Sequence, residues 1–362
     1  MSSSTDILII GGGWIGLAIA IELKLRGMRE VRVLSRSFTE AAAHVAAGML
    51  AAQGEGIRTG PMLDLCLRSR AMYPDWTSKL TAITGEDTGY WSCGILAPVY
   101  EIPDNITTTS DAEWLDKKEI HQYQDGLGAD VVGGWWFPKD AQVDNRRALA
   151  KVLQMAAQEL GVEVREGIEV KEIQQQQGQV ISLQTNRGEL RGSHYILATG
   201  AWSGQLLSVP VYPKKGQLFS VRVPESYQEL PLQRVLFGPN TYIVPRRDGL
   251  IVIGATAEDV GFSPHNTPEG MQALLGRAIR LFPVLKYFPI QEFWWGYRPA
   301  TPDELPILGP SPWQNLTLAV GHYRNGILLA PATANLIADF VCQQKSDPLL
   351  SHFRWNRVSL RS

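Results

Sequence analysis

The chain is poor in cysteine and has no cluster of metal-binding residues. Cys66, Cys93 and Cys342 stand far apart with no CxxC spacing, which excludes a disulfide scaffold and a thiolate metal site and suits isolated thiols in a reducing compartment. The six histidines (His44, His121, His194, His265, His322 and His352) form no HxxxH pair and no mixed Cys/His cluster, so no metal is expected. Neither sign of charge predominates, with 34 Lys and Arg against 36 Asp and Glu. A net charge of −2 without a basic run argues against nucleic acid or an anionic membrane surface as partner. The apolar stretch 15–21 is too short, and too closely flanked by glycine, to span a bilayer. The opening MSSSTDILII has no charged n-region and no cleavage pattern, and the expectation is a soluble cytoplasmic protein.

What is present is enough for a sizeable core. The 362 residues are 44% hydrophobic, sufficient for two domains. The tryptophan pairs Trp135-Trp136 and Trp294-Trp295 suit a large apolar pocket or a core.

The stretch DILIIGGGWIGLAIAIELKLRG carries the first motif. Residues 6–10 form an apolar run of buried-strand type, Gly11-x-Gly13-x-x-Gly16 follows directly, residues 17–25 continue as a helix ending at Gly27, and 31–34 form a second strand. In a βαβ unit of this kind Gly11 makes the tight turn, Gly13 lets backbone approach a pyrophosphate, and Gly16 lets helix and strand pack closely. Unpaired N–H groups at the helix start then face the phosphates. An acidic residue should follow the second strand and hold the adenosine ribose, but Ser35 and Arg36 stand there. Arginine at that place can accept the 2′-phosphate of NADP; equally, Ser35 can bond a ribose hydroxyl while Arg36 lies across the adenine or reaches phosphate. The small residues of AAAHVAAGML, with Gly48, suit close passage of backbone along a planar ring and equally an alanine-rich helix start.

A long helix is expected from Pro61, short strands within 90–99, and a loop-rich stretch up to GGWWFPKDAQVD. Asp144 should cap a helix with Leu149, Val152, Leu153, Ala156 and Leu160 on one stripe and Gly161 as its stop. QQQQG reads as a solvated hairpin turn, and a buried strand at 195–198 returns the chain to the first sheet. Residues 207–300 become strand-rich, with Asp248-Gly249 as a hairpin turn. The expectation is an α/β protein: a discontinuous Rossmann-like dinucleotide domain (1–60, 140–206 and 301–362) and an inserted, mostly antiparallel β-rich substrate domain (61–139 and 207–300), with a pocket between them.

IGGGWIG, AAGML, ATGAWSG, YIVPRRDGLIVIGAT, GYRPATPDELPILGP and GHYRNGILLAPAT occur together and in that order. By these segments the chain resembles the FAD-dependent amine and amino-acid oxidases of the D-amino-acid oxidase group, and within it the glycine oxidases of thiamine biosynthesis. The likeness spans nearly the whole chain. It implies a D-amino-acid oxidase-like fold, non-covalent FAD, a small primary or secondary amine or amino acid as substrate, and oxidation to the imine with O2 reduced to hydrogen peroxide. It further implies a homo-oligomer and a thiazole synthase that consumes the imine. As cofactor contacts it implies the Gly11–Gly16 turn with Trp14 and Ile15, then Ser35 and Arg36, Ala42 and Ala43, and Ala47, Gly48 and Met49. Val170 completes this group. The segment His322, Tyr323, Arg324, Asn325, Gly326, Ile327 and Leu328 would wrap the flavin ring, its helix start facing developing negative charge. His44 stands where a small hydroxyl is common.

For an α-amino acid, Arg298 is the expected carboxylate anchor, since its planar fork matches two oxygens. It ends the strand EFWWGYRP, whose pleat puts Trp294, Gly296 and Arg298 on one face. Its alternative is an ion pair with Asp303 or Glu304. Tyr242 is expected to hydrogen-bond carboxylate or amine, or else to be a buried strand tyrosine. Arg324 is a second cation for carboxylate or flavin, or a structural ion pair. No histidine or carboxylate stands out as a base. The reaction is therefore expected to run by hydride loss from Cα of a neutral amine, fixed in distance and angle, with a rate that climbs with pH. The rival readings are a sarcosine or D-amino-acid oxidase, a quinone-linked dehydrogenase, and a non-catalytic flavin- or NADP-binding module.

Overall fold

A computed structural model describes residues 5–106, 108, 111–343 and 346–357. The polar start at 1–4 and the tail at 358–362 lie outside the described residues.

Two large sheets carry the architecture. The first has six strands in the order Ile307–Pro310, Leu316–Val320, Gly192–Leu197, Thr5–Ile10, Val31–Ser35, Glu163–Glu166. Its pairs are parallel except for the two carboxy-terminal strands. Ile7, Leu8, Ile9 and Ile10 are all buried, as a parallel sheet covered on both faces requires. The helices Trp14–Leu25, Pro61–Thr84, Ala150–Glu159 and Gly326–Gln343 cover one face. The small sheet of Val170–Gln176, Gln179–Thr185 and Gly188–Leu190 covers the other. Its first turn is only Gln177-Gly178, both at positive φ, so most of the glutamine run continues the strand.

The second sheet has eight strands, ordered Ile290–Ala300, Tyr212–Arg222, Leu250–Gly254, Thr241–Pro245, Val235–Gly238, Ile95–Val99, Gly133–Phe137, Glu113–Asp116. It is antiparallel except where Val235–Gly238 meets Ile95–Val99. The architecture is thus α/β with a β-rich second layer. Three local features differ from the sequence reading. The stretch expected to be loop-rich holds two of these strands and the helix Lys117–Tyr123, opened by a reciprocal Asp116/Glu119 cap. Within 207–300 the helix Pro268–Leu281 begins at Thr267, whose hydroxyl accepts the Gly270 N–H at 3.2 Å. Pro61–Thr84, grouped by sequence with the β-rich part, packs instead in the first core, with Leu65 and Tyr73 fully buried.

That last packing shapes the carboxy-terminal helix. Pro331 sits inside Gly326–Gln343 and has no N–H to give the Ile327 carbonyl. The Tyr73 hydroxyl donates to that carbonyl instead. One residue on, Ser69 Oγ donates to the Leu328 carbonyl at 2.6 Å and accepts the Ala332 N–H at 3.2 Å. Two side chains of one helix thus repair the first turns of another. By length and composition this helix could cross a membrane, but most of it is buried among the helices of the first core.

Candidate active site

A single cavity of about 1030 Å³ runs from the first glycine turn to the last. At its amino-terminal end the three glycines do different work. Gly11 has φ +116°, and a Cβ there would lie 2.3 Å from the Ala198 carbonyl oxygen. At Gly16 it would lie 2.0 Å from the Gly11 oxygen, so Gly16 packs helix on strand and is not itself on the cavity wall. At Gly13 the nearest protein atom is Ala41 Cβ at 3.7 Å. The protein leaves that side open to the cavity. No side chain caps the helix Trp14–Leu25, so its first N–H groups are available to an anion.

The segment around Ala42–Val45 and Met49–Leu50 forms one wall, and its carbonyls are held from behind. Asn145 Nδ2 donates to Ala43 O and Ala46 O at 2.7 and 2.5 Å. Trp294 Nε1 donates to Val45 O at 2.7 Å, and the buried Arg246 to Ala47 O at 2.7 Å. Gly48, at φ +83°, passes so close to the Val143 carbonyl that no Cβ would fit. With the carbonyls tied back, Ala42, Ala43, Ala47, Gly48 and Met49 line the cavity with small or apolar surface.

Ser35, Arg36 and Val170 line the far end. Arg36 pairs with Glu40 (Nε–Oε2 3.1 Å) and Glu169 (3.8 Å), and lies 4.6 Å over the Trp202 ring. Its charge is already matched by two carboxylates that also line the cavity. A 2′-phosphate there would meet both, whereas ribose hydroxyls would find acceptors. This removes the main support for NADP.

At the other end His322, Tyr323, Arg324, Gly326 and Ile327 line the wall, while Asn325 and Leu328 sit behind it in the turn and the core. Gly321 (φ +75°) and Tyr323 (φ 47°) make the turn, and the Tyr323 N–H donates to Pro299 O at 2.9 Å, tying it to the strand that carries Arg298. His322 bonds Thr333 Oγ1 at 3.2 Å, and burial pushes its imidazole down to about 3, so it is neutral and structural.

Arg298, Tyr242 and Arg324 all face this cavity. Arg298 Nη1 donates to Thr256 O at 3.0 Å and Lys215 O at 3.4 Å. Asp303 pairs with Arg357 instead, at 2.8 Å, and no carboxylate forms an ion pair with Arg298 among the described residues. Its guanidinium stays free to take one. The room comes from glycines inside strands: a Cβ at Gly216 would lie 2.6 Å from Arg298 Nη1, and one at Gly254 2.3 Å from the Tyr242 hydroxyl. Burial pushes the Tyr242 phenol up despite the nearby Arg298 charge, keeping it a donor. Arg324 donates to the Tyr323 hydroxyl at 3.1 Å.

One carboxylate escaped the sequence reading. Glu55 lines the cavity, and its strongest charge neighbours are Arg324 and Arg298. Burial pushes it up to about 7 against both guanidinium groups. No periodicity marks it, since it sits in a loop and its neighbours are distant in sequence.

The cavity fits an FAD. Its helix start is uncapped, its wall beside Gly48 is narrow and apolar, and the Trp14 indole N–H is the one buried side-chain polar atom without a partner among the described residues. A parallel sheet, a glycine turn and a second sheet closing one cleft are the makings of a flavin-dependent oxidoreductase. Residues 6–340 match the family described as DAO, FAD-dependent oxidoreductase, and the chain belongs to that family. It is 65% identical over 360 residues to the bifunctional protein ThiO/ThiG of Trichormus variabilis, with 97% of this chain and 55% of that one covered. The chain thus spans about half the length of such relatives. It is 35% identical to the glycine oxidase of Geobacillus kaustophilus, covering 99% and 98% of the two chains. The crystal structure of glycine oxidase from that organism superposes with a TM-score of 0.89 at 34% identity, covering 98% of this chain and 99% of that one.

Proposed function

We propose that the chain oxidises glycine, and other small amines or D-amino acids, to the imine, with O2 as electron acceptor and hydrogen peroxide as product. The observation that carries this reading is Arg298: a guanidinium held by two backbone carbonyls, unpaired with any carboxylate among the described residues, in the same cavity as the dinucleotide turn. A bidentate pair with the substrate carboxylate would fix Cα, and the Tyr242 hydroxyl would donate to the same group. FAD, when bound, supplies the two-electron acceptor for the Cα hydride and passes the electrons to O2. The chain excludes water with its apolar wall and supplies helix-start N–H groups from the turn at Gly326. The relatives named ThiO/ThiG and glycine oxidase support the substrate. The ThiG half in the longer relatives supports delivery of the imine to a thiazole synthase; a homo-oligomer belongs to the same proposal. Peroxide assays with glycine, sarcosine and D-alanine test it. Turnover with glycine is expected, and reduction of quinone without peroxide from any of the three would refute it.

A further inference from the structure

Resting on the oxidase reading, we infer that Glu55 receives the substrate's ammonium group and takes one of its protons, leaving the neutral amine from which Cα oxidation proceeds.

The loop that carries Glu55 is built to hold it still. Gln53 and Gly54 N–H donate to Asp140 Oδ2 at 3.1 and 2.8 Å, and Asp140 is fully buried. Arg70 donates to both Gln53 Oε1 and Asp140 Oδ1, at 2.7 Å each. The Glu55 N–H donates to Ala51 O at 3.4 Å. Its carboxylate makes no hydrogen bond or ion pair among the described residues. The other acidic side chains of the wall are employed or outside: Glu40 and Glu169 hold Arg36, Glu258 accepts from Gln217 at 2.8 Å, and Glu269 is exposed.

Glu55 therefore stands as a carboxylate without a partner in the same cavity as Arg298, a guanidinium that no carboxylate pairs with among the described residues. A zwitterionic amino acid carries the complement of both, its carboxylate for Arg298 and its ammonium for Glu55. The charges facing Glu55 are Arg324 and Arg298, with Asp140 and Glu304 opposing them; the Tyr242 phenol and Cys66 thiol are neutral neighbours. In the transfer one N–H bond breaks and one O–H bond forms on Glu55. The bonding pair stays on nitrogen as the lone pair that drives hydride loss. Water takes the proton before the next turnover. With its carboxyl held near 7, Glu55 can serve in both forms close to neutrality.

The test is Glu55→Gln, an isosteric change that removes a half-buried charge from the cavity wall, in the yellow holoenzyme. In anaerobic mixing with glycine the wild-type rate of flavin reduction should level off above about pH 7. In the variant the rise should move to the alkaline range, and near neutrality the rate should drop about tenfold or more. Acetate, which has no amine, provides a second readout through its perturbation of the flavin spectrum. Its affinity for the wild type should fall about tenfold from pH 6 to pH 8.5, as Glu55 ionises and repels it, and stay flat in E55Q. Unchanged pH profiles in both experiments would overturn the assignment of Glu55. Arg298→Ala separates the two levels: acetate bound as tightly as by wild type would sink the anchor reading itself, whatever Glu55 does.

Discussion

Replacing Arg298 by alanine should leave a folded, yellow protein that has lost its hold on the substrate. The fold has little to lose. Lys215 O keeps a second donor, the Glu258 N–H at 2.9 Å, so truncation leaves mainly Thr256 O short of a partner, at about 1 kcal/mol. The substrate has more to lose. Its carboxylate would enter a desolvated cavity without a counter-charge, at about 2–5 kcal/mol, which is roughly 30- to several-thousand-fold in kcat/KM. Peroxide formation against glycine concentration gives kcat/KM, and the ratio of visible to ultraviolet absorbance gives FAD content. Arg298→Lys should recover only part of the loss, because an ammonium keeps the charge but not the fork. Wild-type kcat/KM in Arg298→Ala, or loss of FAD in step with activity, would refute the reasoning.

Gly216→Ala should raise KM about tenfold with FAD retained, because its Cβ would press on a guanidinium pinned by two carbonyls; steady-state kinetics check this. Tyr73→Phe should destabilise the chain by about 1–3 kcal/mol in denaturant titration, by stripping the Ile327 carbonyl of the donor that replaces Pro331's missing N–H. Glu55→Gln should stabilise the substrate-free enzyme at pH 8 but not at pH 4. A carboxyl raised from 4.5 to about 7 holds its proton longer folded than unfolded, so stability drains away as pH rises through that window. The full penalty above pH 7 is about 3 kcal/mol, readable as a difference in Tm between the two pH values.

Much of this was legible because the signals are local. The Gly11-x-Gly13-x-x-Gly16 turn needs only its flanking strand and helix, and Arg298 only the pleat that aligns it with Gly296 and Trp294. Gly216 and Gly254 interrupt apolar strands and could have been read as places of close approach. Thr267-Pro268-Glu269 is likewise a helix-start signal that the surrounding strands masked. Glu55 was illegible for a different reason. Its character comes from burial and from Arg298 and Arg324, which the fold brings into the same cavity from more than 240 residues away, with the buried Asp140 behind its loop. The repair of Pro331 by Tyr73 and Ser69 is of the same kind: a helix and its missing bond more than 250 residues apart. Arg36 could be placed but not interpreted, since Glu169 and Trp202 reach it only through the fold.

The most direct measurement is the visible spectrum of the purified protein, followed by anaerobic addition of glycine. An oxidised flavin spectrum that bleaches with glycine, and returns when air is admitted with formation of peroxide, is the predicted result. A colourless protein, or a yellow one that glycine, sarcosine and D-alanine all leave oxidised, would contradict it.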